Sequence, residues 1–75
     1  MKPVECAFPG GNRQYTYLAP DDMEISVGDF AVVPVGEYDP LKAKVVLVVR
    51  LPETWEPNPN IAYKRLYTVF KNFAD

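Results

Sequence analysis

Apolar and polar residues in this chain change places over short runs, and prolines and glycines break the runs every eight to twelve residues. That is the rhythm of an all-β domain. A first strand ends near Phe8, before a turn at Pro9-Gly10-Gly11-Asn12. Tyr15-Thr16-Tyr17-Leu18 is aromatic and β-branched and stops at Pro20-Asp21-Asp22. Val27-Gly28-Asp29 reads as a turn, and Phe30 to Val35 as a strand with Ala31 and Val33 facing in and Phe30 and Val32 facing out. Gly36 to Leu41 is a turn-rich loop. Lys42 to Leu51 is the clearest strand, and its unbroken Val/Leu stretch predicts burial on both faces.

The C-terminal third is read less directly. Pro52 to Asn60 holds three prolines, which make it a stiff, extended loop poor in ladder donors. In the last segment Tyr63, Leu66, Tyr67, Phe70 and Phe73 fall at helical spacing, with Asn60 as a candidate N-cap. Ile61, Tyr63, Tyr67, Thr68, Val69 and Phe70 are strand formers, and they favour a strand from about Ile61 to Phe70. A short C-terminal turn or helix is the alternative. Five short strands with tight turns predict one all-β domain over residues 1–75, a small SH3-like, half-open β-barrel; an OB-like barrel is the next candidate. Tyr17 is expected in the core, and Trp55 is expected over one open end of the barrel.

Composition then removes most chemistry. There is no histidine and one cysteine, so an internal disulfide, a four-ligand zinc site and a histidine-based nucleophile are all excluded. Ser26 is the lone serine, without a base of the usual kind, and no Gly-x-x-x-x-Gly-Lys-Ser/Thr loop is present. The expectation is a non-enzyme with no cofactor and no metal. Asp21, Asp22 and Glu24 lack a calcium-loop pattern and read as a solvated acidic loop. No apolar run approaches the roughly 20 residues of a membrane span. Cys6 reads as a buried, inert thiol, and a lone cysteine fits the reducing cytoplasm.

Charge is segregated along the chain. Residues 14–41 carry Asp21, Asp22, Glu24, Asp29, Glu37 and Asp39 without a cation, a net of −6. Residues 42–71 carry Lys42, Lys44, Arg50, Lys64, Arg65 and Lys71 against Glu53 and Glu56, a net of +4. Two readings follow. Either the second half presents a basic face to phosphates, or strands of the two halves interleave and the charges mix.

A resemblance narrows the choice. Tyr15-Thr16-Tyr17-Leu18-Ala19-Pro20, then Met23, Val27-Gly28-Asp29 and Val33-Pro34-Val35-Gly36, resembles the N-terminal domain of the bacterial primosomal helicase PriA. The match runs ungapped from Tyr15 to Gly36; Ala7-Phe8-Pro9 and Tyr63-Lys64 with the strand after it are similar in kind. Small barrel proteins of tailed phages share a related pattern. The resemblance implies a barrel that binds the 3′-terminal nucleotide of a DNA strand. By position, Tyr15 would lie beside the terminal base, Gly36 would let the nucleotide approach the backbone, and Lys64 would meet its phosphate or base. Thr16 stands where the family has an acidic residue for the 3′-hydroxyl, and it offers an uncharged acceptor instead. Phe30 and Val32 stand where the family is often basic. Residues 1–75 hold none of the ATP-phosphate loop of a helicase motor.

Two functions therefore stand side by side. One is a nucleic-acid binder for single-stranded or 3′-ended DNA through Tyr15, Thr16, Gly36 and Lys64. The other is a phage-type interaction or regulatory barrel that binds a host or replication protein, or a second copy of itself, through Phe30, Val32 and Trp55, in the host cytoplasm if phage-encoded. Val35 and Tyr38 would extend that second surface.

Overall fold

Residues 1–35 and 42–72 are described by the computed structural model, and they form five strands: β1 Lys2–Ala7, β2 Gln14–Ala19, β3 Phe30–Pro34, β4 Ala43–Arg50 and β5 Thr68–Phe70. The strands make one sheet in the order β2-β1-β4-β3-β5, with every ladder antiparallel. The turns form where glycine supplies the backbone geometry. Gly10 and Gly28 both have positive φ, 74° and 98°, a region that costs other residues dearly. The fold is therefore the expected all-β, half-open barrel of five strands. Gly36 and Tyr38 lie outside the described residues.

Pro3 sits inside β1 without breaking it, and the register explains why. Pro3 pairs with Leu18, whose N–H and C=O turn away from β1 toward residues 64–66, so no donor is needed from position 3. On the other side of β1 the described pairs with β4 begin at Glu5, past Pro3.

The inner faces meet in a core of small side chains. Val4, Cys6, Ala19, Ala31, Val33, Val46 and Val48 are buried, with Tyr17 and Leu66 as the larger members. Phe8, Met23, Ile25, Leu51 and Val69 pack around them. Period-2 alternation thus placed Ala31, Val33 and Tyr17 correctly. Cys6 is buried as expected, and burial pushes its thiol up to about 11. The expectation for β4 needs correction. Val46 and Val48 are buried, but Val45 and Leu47 are exposed, so the strand is covered on one face only. A continuous apolar run is consistent with a two-sided strand but does not require one.

The last segment closes the barrel. The N–H of Leu18 donates to the Lys64 carbonyl at 2.9 Å, the N–H of Leu66 donates back to Leu18 at 3.0 Å, and Leu18 forms a parallel bridge with Arg65. One residue later the N–H of Tyr67 donates to the Val32 carbonyl at 2.7 Å, and β5 continues along β3. A stretch that crosses from one sheet edge to the other cannot stay paired to either. The strand expected over 61–70 is accordingly reduced to Thr68–Phe70, and there is no helix among the described residues.

The end of this segment is latched. Asp29, buried beside the Gly28 turn, accepts from the Ser26 N–H at 2.8 Å and from Lys71 Nζ at 2.9 Å. The Lys71 hydrogen bond, helped by the one from Ser26, holds the Asp29 carboxyl below the usual carboxylate range. The pair joins an acid of the negative half to a base of the positive half. Strands of the two halves also alternate across β4-β3-β5.

Candidate nucleic-acid interface

β2 carries two tyrosines on one face, and the barrel treats them differently. Tyr17 is buried among the core residues, and burial, reinforced by Cys6 and Tyr15, raises its phenol so that it stays neutral. Tyr15 shares that face but stands past the end of the core, 47% exposed. Its ring is fixed by Phe8, edge to face, at 5.2 Å between centroids and 87° between planes. Such a contact holds one edge of the ring and leaves a face for a ligand.

A groove lies on each side of Tyr15. One, of about 420 Å³, is lined by Phe8, Gly11, Asn12, Arg13 and Tyr15. The other, of about 310 Å³, runs between Gln14–Tyr17 of β2 and residues 61–64. Tyr15, Thr16 and Lys64 thus share a groove, although 48 residues separate Thr16 from Lys64. The bond from Leu18 to the Lys64 carbonyl brings that lysine to β2.

The far wall is built by the loop after β4. The N–H of Asn58 donates to the Tyr63 hydroxyl, the N–H of Asn60 to Asn58 Oδ1, and the N–H of Ile61 to the Asn58 carbonyl. Trp55 packs edge-on against Tyr63, with centroids 4.9 Å apart. Trp55 is therefore not a cap on the core. It braces the groove wall through Tyr63. Phe30 belongs to the outer face of β3 and β4, beside Leu47 and Val45.

Thr16 adds a feature beyond its hydroxyl. In an antiparallel strand alternate residues aim both main-chain groups to the same side. Leu18 uses its pair to bind the closing segment, so Thr16 aims its own N–H and C=O into the fork between β2 and residues 61–64. No main-chain partner among the described residues meets them. The site therefore offers an aromatic face, a cation on either side of it, and a strand edge with one donor and one acceptor.

Three parts of this site are additions to the sequence reading: Arg13, the Tyr63 wall, and the main chain of Thr16. Arg13 was legible in principle, since it lies two residues before Tyr15 and so on the same side of the extended chain. The other two depend on where residues 61–66 cross the sheet. Gly36 cannot be placed, as it lies outside the described residues. No group of three or more His, Cys, Asp or Glu side chains among the described residues is placed to hold a metal ion, and no helix among them is long and apolar enough to cross a membrane.

Compared with protein families, with curated proteins and with solved structures, the chain matches none.

Proposed function

We propose that this chain is a non-catalytic nucleic-acid-binding barrel whose ligand is single-stranded or 3′-ended DNA. The observation that carries the reading is the convergence of Tyr15, Thr16 and Lys64 on one groove, with Tyr15 half exposed. An aromatic face stacks on any base and contributes about 1–3 kcal/mol per base. Arg13 and Lys64 flank the ring and supply point charges for the phosphates on either side of a stacked nucleotide. The strand edge at Thr16 offers hydrogen bonds to a base or a sugar hydroxyl. Local cations, rather than the net charge of −2, set this affinity.

The finer part of the reading, preference for a free 3′ end, is supported by the likeness of residues 15–36 to the PriA N-terminal domain. The absence of histidine and of a phosphate-binding loop supports binding without catalysis. A buried lone thiol suits a cytoplasmic protein.

Fluorescence anisotropy with a labelled oligonucleotide at low salt tests the reading. Binding that weakens on Tyr15→Ala and steepens less with salt on Lys64→Ala supports it. Equal affinity for a free and a blocked 3′ end removes the end-specific part. No binding at millimolar protein removes the whole.

A further inference from the structure

Four of the exposed large apolar residues, Phe30, Val45, Leu47 and Phe70, lie together. In register across the sheet, Ala7 pairs with Leu47, Leu47 with Phe30, and Phe30 with Phe70. The next row sets Val45 beside Val32. Phe30 is 37% exposed, Leu47 39%, Val45 51% and Phe70 56%. The outward positions of β3 are Phe30, Val32 and Pro34, and those of β4 up to the irregularity in its pairing with β1 are Ala43, Val45 and Leu47, so no charged or hydrogen-bonding side chain stands among them; Arg50, beyond it, pairs with Glu5 at the rim. A hollow of about 380 Å³ between Phe8, Phe30, Val45 and Leu47 indents the face.

We propose that this face is the contact between two copies of the chain, related by a two-fold axis. Three observations select a second copy. A two-fold axis sets a face against itself, so a charge near the axis would meet its own sign; Phe30, Val32, Val45 and Leu47 carry none. The exposed area of Phe30, Phe70, Leu47, Val45 and their neighbours is on the order of 500 Å² per chain, as large as patches on ordinary monomers become. Two such faces together reach the ~1,000 Å² at which specific interfaces begin. Third, the barrel interior is filled mostly by valine, alanine and cysteine, while Phe30, Phe70 and Leu47 stay outside it. These larger side chains are the apolar surface that the barrel interior leaves uncovered. A polyanion would find no cation among Phe30, Val32, Val45, Leu47 and Phe70. The proposal does not rest on the nucleic-acid reading, although the two surfaces adjoin at Phe8, which lines both the groove with Arg13 and the hollow with Phe30.

Sedimentation equilibrium of the full chain, from micromolar to millimolar concentration, tests it. The expected result is a concentration-dependent rise to twice the chain mass. Leu47→Lys, which faces like charge across the axis, should raise the dissociation constant on the order of tenfold or more while the circular dichroism spectrum is kept. Should Leu47→Lys fail to fold, Phe70→Lys on the short edge strand makes the same test. A chain that remains a monomer at millimolar concentration overturns the proposal. So does a dimer indifferent to both substitutions, and so does a monomer that instead binds phosphatidylcholine vesicles through this face.

Discussion

Two parts of this barrel expose aromatic rings, and they differ in everything around the ring. At the β2 edge, Tyr15 is set between Arg13 and Lys64, beside the open main chain of Thr16. On the outer face of β3 and β4, Phe30 and Phe70 are set among Leu47, Val45 and Val32, with no charged side chain among them. An exposed ring by itself says little, since much of any protein surface is apolar. Its neighbours decide what it can hold. Cations and free hydrogen-bonding groups around a ring suit a strand of nucleic acid, whereas an uncharged surround suits another apolar face.

Substitution can break this contrast. The largest effect should come from Tyr15→Ala, with a loss of about 1–3 kcal/mol in DNA affinity by anisotropy. Phe30→Ser, at an exposed ring on the other face, should change that affinity by less than about 0.5 kcal/mol. Equal losses at both positions would mean that the two surfaces are one. Next in size are the two sides of β4, compared in chemical denaturation. Val48→Ala removes buried methyl groups and should cost about 2 kcal/mol of stability, whereas Val45→Ala, on the exposed side, should cost less than about 0.5 kcal/mol.

The latch at Asp29 gives a smaller effect with a defined pH dependence. Its carboxyl is held low by Lys71 and Ser26, so its contribution is full above the ordinary carboxylate range near ~4 and is lost as pH falls through the lower folded value. Thermal melts should show Asp29→Asn several degrees below the parent at neutral pH, with the gap closing in acid. A gap that persists in strong acid would place the effect elsewhere than in ionisation. Smaller still, Lys64→Ala should flatten the salt dependence of DNA binding by about one unit of log–log slope, as one phosphate contact is lost. The same substitution should leave sedimentation unchanged.

Much of the fold was legible because its signals are local. Turn residues marked the ends of β1, β2, β3 and β4 to within a residue or two, and alternation assigned Ala31, Val33 and Tyr17 to the interior. What escaped is set by contacts distant in sequence. Residues 61–70 carry strand-forming side chains, yet they cross between two sheet edges and pair with each only briefly. The Val/Leu run of β4 looks two-sided, and only the absence of a covering layer over Val45 and Leu47 shows that it is not. The site was half legible for the same reason. Tyr15 and Thr16 lie on one strand, but Lys64 is brought to them by the closing contacts at Leu18. Trp55, an obvious candidate by type, serves Tyr63 instead.

The central claim is that the groove between β2 and residues 61–64 is where DNA binds. An amide chemical-shift titration with a short 3′-ended oligonucleotide at low salt tests it residue by residue. The expected shifts fall on Arg13, Gln14, Tyr15, Thr16 and Lys64, while Val45, Leu47 and Phe30 stay still. Shifts confined to β3 and β4, or none at saturating oligonucleotide, would contradict it.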